Sequence, residues 1–289
     1  MHAYLIIAHD NFEQLQALLK SLDYVDNYIY LHIDVKAESF DYEKTCSCIK
    51  KAGIELIERK NVVWGDFSQI ECELSLLEAA SKKEYDYVHL LSGVDFPIKS
   101  HEYIVDFFSR NKGAEFVHFE CDGYPEYDKC KIQYWYMLQK KVGKKKSINS
   151  IIAAIQRISI LFQMLIGIDR TKNQIKFFKG ANWFSITGEC ALYVVKQKEL
   201  IEKLFKHTLC GDEFFLQTII MNSEYKDRLW IKDKKDDYEG CLRMIDWKRG
   251  NPYVFRIEDA EELIESKCLF ARKFDLNVDK MIIDKLSHL

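Results

Sequence analysis

Short apolar runs alternate with stretches in which apolar residues recur every three or four positions, the pattern of strands alternating with amphipathic helices. Ala3–Ala8 is the first run; it stops at His9-Asp10-Asn11, after which Phe12, Leu15, Leu18, Leu19 and Leu22 recur at helical spacing. Tyr28–Ile33, closing on Asp34, and Ile54–Ile57 read as two further strands. A β-α-β-β opening with polar residues at the strand ends is how a nucleotide-binding half of an α/β sheet begins. Val62–Phe67 then leads into Ser68-Gln69-Ile70-Glu71, a predicted capping box with Ser68 as N-cap. The helix it opens buries Ile70, Leu74, Leu77 and Ala80.

The pattern is strongest at Tyr85–Lys99. Tyr87–Leu91 is an apolar, β-rich run expected to be buried on both faces. The chain can turn sharply at Ser92-Gly93, Pro97 stiffens the exit, and Ser100 can cap a helix with Ile104, Phe107 and Phe108 on one face. Asp95 lies just past the carboxyl end of this central strand, where open α/β sheets bind ligands, although an aspartate there can also simply brace the turn. Glu115–Phe119 and Lys179–Thr187 read as later strands, with Thr187 able to cap a helix holding Ala191, Leu192, Val194 and Val195. Cys210-Gly211-Asp212-Glu213 opens another helix with Phe214, Phe215, Ile219 and Ile220.

Between these lies Ile148–Ile168, a long apolar stretch whose only charge is Arg157, preceded by Lys140-Lys141 and Lys144-Lys145-Lys146. Asn149, Ser150, Gln156, Arg157 and Gln163 form a polar stripe along it. A basic patch beside an amphipathic apolar helix reads as lying on an anionic membrane surface. Packing in the core or at an oligomer interface fits the pattern too, and the length also permits a spanning helix.

Composition narrows the classes. The 289 residues suffice for one large α/β domain, and a formal charge of -3 with a pI near 6.3 excludes a general polyanion binder. No Gly-x-Gly occurs, so neither a dinucleotide fingerprint nor a P-loop is available. The nine cysteines are scattered without a C-x-x-C pair. With no basic, apolar leader at the N-terminus, they suggest a reducing, cytoplasmic location, peripheral to the inner face of the plasma membrane if the apolar stretch binds lipid.

The candidate chemistry is carboxylate and cation chemistry. Glu213, after a glycine turn and at a helix start, is the best general base, because an ionised carboxylate there can accept a hydroxyl proton. Arg272-Lys273, flanked by Phe270 and Phe274, can neutralise a diphosphate. There is no Asp-x-Asp triplet, the usual acidic seat for a metal–nucleotide in sugar transfer, so cations doing the metal's work would make sense of the sequence. Trp64 precedes its helix either as a hydrophobic staple or as a lid, and the aromatics from Tyr124 to Tyr136 suit an acceptor-side wall as well as plain packing.

Taken in order, Ile7-Ala8-His9, Tyr30–Asp34, Val63–Ser68, Leu91–Lys99, Gly180–Phe184, Asp212–Phe215, Ile245–Trp247 and Leu269–Phe274 resemble the core-2/I-branching β-1,6-N-acetylglucosaminyltransferase family. That family includes the peptide O-xylosyltransferases, and the likeness is to its short bacterial members. The resemblance implies a GT-A-like α/β fold, a central mixed, mostly parallel sheet flanked by helices, in a single domain over 1–289. Residues 1–120 would be the nucleotide-binding half, 121–175 a variable insertion and 176–289 the acceptor and catalytic half. It implies inverting transfer of N-acetylglucosamine or xylose from a UDP-sugar to a glycan or glycolipid hydroxyl, in surface polysaccharide or glycoconjugate synthesis, with no metal or other cofactor required. Glu213 falls on the family's base and Lys273 on its diphosphate-binding position. A second phosphate-binding arginine matches Arg249 best, with Arg256 and Arg272 as competitors. His9, His32, Asp34 and Trp64 complete the implied UDP site, and Asp95, Trp183 and Trp247 the acceptor or donor-sugar site. No nucleic-acid partner is implied. The alternatives are a non-catalytic carbohydrate-binding or scaffold protein, and a nucleotidyltransferase on the same fold, which would need a metal-binding acidic pair.

Overall fold

The computed structural model of the protein describes residues 1–143, 150–172, 175–232 and 238–289. Lys144–Lys146 and Asn149, part of the predicted basic and polar face, lie outside the described residues.

The opening is built as its pattern predicts. Strand β1 (His2–Ala8) leads through α1 (Phe12–Ser21) to β2 (Asn27–Ile33), and a short α2 (Tyr42–Cys46) precedes β3 (Gly53–Leu56). Helix α3 (Ser68–Ala80) returns the chain to β4 (Tyr87–Ser92). These four strands are parallel, in the order β3-β2-β1-β4. Beyond β4 the sheet turns antiparallel, through β7 (Phe184–Thr187) to β6 (Phe116–Val117). The result is a mixed, mostly parallel sheet flanked by helices, the architecture expected of a GT-A-like fold.

Strand periodicity divides the interior. Ala3, Leu5, Val88 and Leu90 face one core, with α3 and the later helices α8 (Gly188–Lys196), α9 (Lys198–Phe205) and α10 (Phe215–Met221). Tyr4, Ile6, Tyr87 and Leu91 face the other, with α1, α4 (His101–Arg110), α11 (Ala260–Glu265) and α12 (Lys280–Leu286). Ile70, Leu74, Leu77 and Ala80 are buried as the helical spacing required, and the Ser100 and Thr187 hydroxyls cap α4 and α8.

Three expectations are corrected. Ser68 is not an N-cap: it is the first residue of α3, its hydroxyl accepts from the Val63 N–H at 2.9 Å, and the Asp66 carboxylate accepts from its N–H at 3.0 Å. The predicted strand at Glu115–Phe119 shrinks to two residues, because Glu115 is drawn into a bridge to Leu229 and the chain after Val117 turns to meet Lys179. Asp95 and Pro97 also do more than end a turn. They are the ends of β5 (Asp95–Pro97), which pairs with β9 (Phe270–Arg272), which in turn pairs with β8 (Arg243–Ile245), in a second, three-stranded sheet.

The apolar stretch forms α7 (Ser150–Leu165), which follows α5 (Lys129–Gln133) and α6 (Gln139–Val142). Its 16 residues span about 24 Å, short of the roughly 30 Å of hydrocarbon in a bilayer. Among the described residues no helix is long and apolar enough to cross a membrane. Core packing of its apolar side is corrected as well, because the polar residues Gln156 and Gln163 are the buried ones.

Candidate functional site

The turn that holds Glu213 is shaped by its backbone. Cys210 adopts a left-handed conformation at φ 52°, which is uncommon for a residue with a side chain and costs on the order of 1 kcal/mol. Its N–H donates to the Gly65 carbonyl at 3.0 Å, which fixes the turn against the loop carrying Trp64. Gly211–Glu213 then forms a 3-10 turn ahead of α10, so Glu213 precedes that helix instead of occupying its first turn.

Cations replace the helix dipole as the neighbours of that carboxylate. Lys131 Nζ donates to Glu213 Oε2 at 3.3 Å and Lys179 Nζ stands 3.7 Å from the same oxygen. Both lysines also hold the buried Asp128, at 2.7 and 2.9 Å, and Lys179 pairs with Glu120. Burial alone would lower both ammonium groups, but the bonds to these carboxylates outweigh it and raise them. Burial would likewise raise the Asp128 carboxyl, and the two lysines hold it below the usual range. Glu213 keeps 37% of its side chain exposed, so an oxygen remains open to a substrate hydroxyl.

Behind it lies a buried acidic layer. Burial, reinforced by the neighbouring Glu213 charge, pushes the Asp212 carboxyl up to about 7. Gln69 Nε2 donates to one Asp212 oxygen at 2.8 Å and the other is unpartnered. Glu73 is pushed well above the carboxylate range by burial and by Asp212, and Asn182 bonds to it.

Asn182 belongs to Gly180–Trp183, a strip that joins this centre to the second sheet. The Gly180 N–H donates to the Glu213 carbonyl at 2.9 Å. A β-carbon at Gly180 would lie 1.9 Å from the His118 carbonyl oxygen, so only glycine lets the two backbones approach. At the other end, the Trp183 ring lies 4.0 Å beneath the Arg272 guanidinium. Arg272 Nε is 3.4 Å from Asp95 Oδ1, close enough for charge attraction but not aligned as a hydrogen bond. The Ser92 hydroxyl and N–H hold the two Asp95 oxygens at 2.6 and 2.9 Å.

Lys273 follows half-buried, its N–H donating to the Tyr253 carbonyl at 3.3 Å. Arg249 lies over the Tyr253 ring at 4.3 Å, so both candidates contact Tyr253, Arg249 by its side chain and Lys273 by its backbone. Arg249 is already held by Asp246, Asp259 and Glu262, so its charge is largely matched within the protein. Arg256 is exposed at the turn before Ile257–Asp259. Trp247 is exposed and bonds to Tyr238, which stacks on His118 at 4.3 Å beside the strip.

The remaining candidates gather at the carboxyl ends of β1 and β2. His32 is buried; its Nε2 accepts from the Lys60 N–H at 2.9 Å, and burial pushes its imidazolium down to about 4. Asp34 accepts from the Lys36 and Val62 N–H groups and pairs with the Lys36 ammonium at 3.0 Å. His9 is exposed beside Asp10, and Trp64 is exposed in a loop tied to Gln139 through its carbonyl. Helix α3, which follows the Trp64 loop, carries Gln69, the partner of Asp212 and an acceptor for the Gly65 N–H, so this group and the Glu213 centre share one wall.

Lys131, Lys179, Gln69 and Glu73 were not singled out from the sequence. The lysines sit in ordinary charged stretches, and only the tertiary fold brings them to Glu213 from 82 and 34 positions away. Among the described residues no group of three or more His, Cys, Asp or Glu is placed to hold a metal ion.

Residues 2–264 match the family model described as Core-2/I-Branching enzyme. The chain is 28% identical over 295 residues to Xylosyltransferase oxt of Drosophila pseudoobscura pseudoobscura, an alignment covering 94% of this chain and 31% of that protein. It is 24% identical over 313 residues to the Homo sapiens β-1,3-galactosyl-O-glycosyl-glycoprotein β-1,6-N-acetylglucosaminyltransferase, covering 98% and 68%. It thus spans about a third of the length of the fly relative. The crystal structure of mouse xyloside xylosyltransferase 1, apo form, aligns with 94% of this chain and 97% of that one, at a TM-score of 0.38 and 10% identity.

Proposed function

The chain belongs to the core-2/I-branching enzyme family of glycosyltransferases, and on that premise we propose that it moves a sugar from a UDP-sugar to a hydroxyl of a glycan acceptor. The transfer inverts the anomeric carbon and requires no metal. N-acetylglucosamine and xylose are the donor sugars that the relatives' names suggest, and the setting we infer for it is surface glycan synthesis.

The observation that carries this reading is the strip Gly180–Trp183, with the half-exposed Glu213 at one end and the Arg272–Trp183 pair at the other. Glu213 takes the acceptor hydroxyl proton as the oxygen attacks the anomeric carbon. The bond from that carbon to the diphosphate oxygen breaks, and UDP leaves with the electron pair. Arg272 and Lys273 stabilise the charge growing on the leaving diphosphate, as preorganised cations do in a water-poor site. Asp34, fixed by backbone N–H donors, lies on the uridine side, and the buried His32 behind it holds the Lys60 backbone in place.

A thermal-shift screen of UDP-sugars, with and without excess EDTA, tests the reading. A ligand at about 100 times its dissociation constant stabilises the fold by roughly 2.7 kcal/mol. Stabilisation by one UDP-sugar, followed by transfer that survives EDTA, is the expected result. No UDP effect overturns the donor, and activity lost in EDTA and restored by magnesium or manganese overturns metal independence.

A further inference from the structure

Helix α7 is turned the opposite way from an ordinary surface helix. Gln156 and Gln163, seven residues apart, point into the protein. Gln156 accepts from the Leu138 N–H at 3.0 Å, and Gln163 accepts from the Trp135 N–H at 2.7 Å while donating to the Trp135 carbonyl. The helix is therefore docked by side-chain amides on backbone groups. Ile151, Ile155, Ile158, Phe162 and Leu165, spaced by four and three, form the outer face and are each more than half exposed. Trp135 and Met137, in the segment that receives the helix, are exposed as well. Contiguous outward apolar faces on soluble domains mark contact surfaces.

Charge identifies what covers this one. From residue 129 to 168 the sequence holds no aspartate or glutamate, although the whole chain carries a net charge of -3. Lys140, Lys141 and Arg157 are exposed around the helix. A second copy packed through a two-fold axis would set this cationic surface against itself. An anionic lipid surface matches both its apolar face and its charge.

We propose that α7 docks the protein on an anionic bilayer, with its outer apolar face in the headgroup and upper acyl region and Lys140, Lys141 and Arg157 on acidic headgroups. This does not rest on the transfer reading, because lipid binding is read without nucleotide or sugar. The test is sedimentation of the full chain with phosphatidylcholine vesicles, with and without phosphatidylglycerol, beside light scattering for oligomeric state. At about a factor of five per surface cation, binding to the anionic vesicles is expected to be about a hundredfold tighter, and to weaken with salt. Ile158→Glu with Leu165→Glu should abolish it at an unchanged melting temperature. Lys140→Glu with Arg157→Glu, which leaves the apolar face intact, should remove the preference for phosphatidylglycerol. Equal or absent binding to both vesicles overturns the proposal, as does a solution dimer that Ile158→Glu with Leu165→Glu separates, since a second copy then covers the face.

Discussion

The Arg272 guanidinium stacks 4.0 Å above the Trp183 indole, and this pair joins the small sheet to the large one. Arg272 also faces Asp95, which is 1% exposed and pairs with it in β-register. Trp183 immediately precedes the β7 strand of the main sheet. One side chain thus anchors a buried carboxylate, an aromatic plane and the candidate phosphate site.

Removing Arg272 therefore damages more than a phosphate contact. Arg272→Ala leaves Asp95 as a buried charge without its cation and is expected to destabilise the fold by about 3 kcal/mol, measured by urea denaturation. Arg272→Lys keeps the charge but loses the planar stack, and is expected to fall between wild type and alanine. Equal stability of all three proteins would show that the stack carries nothing.

Lys179 sits among Glu120, Asp128 and Glu213 with 12% of its side chain exposed. Lys179→Met leaves three carboxylates around an apolar group and is expected to cost about 3–5 kcal/mol in denaturation experiments. Pairing Lys179→Met with Asp128→Asn should recover part of the loss, because the buried carboxylate is then neutral. No recovery would place the effect outside the charge cluster.

Stability is expected to fall as the pH rises above about 6.5. Burial raises Asp212 and Glu115 to about 7 and Glu73 well above the usual range. In the unfolded chain these carboxyls ionise near pH 4, so between about pH 4 and the raised native values only the native chain still holds their protons. Their stabilising effect is thus present at low pH and lost as the pH passes the native values. His2 and His32, lowered to about 4 by burial, act in the opposite sense, but only between about 4 and 6.5. Asp212→Asn keeps an acceptor for Gln69 and cannot ionise, so its unfolding free energy, measured by urea denaturation, should decline less between pH 6 and 8, by on the order of 1 kcal/mol. A parallel decline in both proteins would rule out Asp212 as a source.

The main sheet was legible in the sequence because β1, β2 and β4 are continuous apolar runs that admit one reading, and Ser100 and Thr187 cap the helices their positions predict. The second sheet was not, because β5, β8 and β9 are three residues each and β5 pairs with β9 across more than 170 positions. The apolar face of α7 was readable from spacing, but its direction was not. Periodicity says which residues share a face, and only the amide bonds of Gln156 and Gln163 decide which face meets the protein. Ser68 failed as a cap because the helix starts one residue earlier: the Glu71 N–H that it would have capped bonds to the Phe67 carbonyl, and the Ser68 hydroxyl accepts from Val63 instead. At the site, Glu213 was singled out by its place after a glycine turn and by the family resemblance, and Arg272-Lys273 by its flanking phenylalanines, whereas the lysines that flank Glu213 depend on contacts that sequence spacing does not encode.

The central claim is that Glu213 collects the acceptor proton while the nucleotide is held elsewhere. It is tested most directly by single-turnover transfer with Glu213→Gln, using the UDP-sugar that stabilises the wild-type protein and measuring UDP-induced stabilisation alongside. The account predicts transfer slowed by about 10²- to 10⁴-fold with UDP stabilisation unchanged. Transfer at the wild-type rate, or slow transfer accompanied by lost UDP binding, would contradict it.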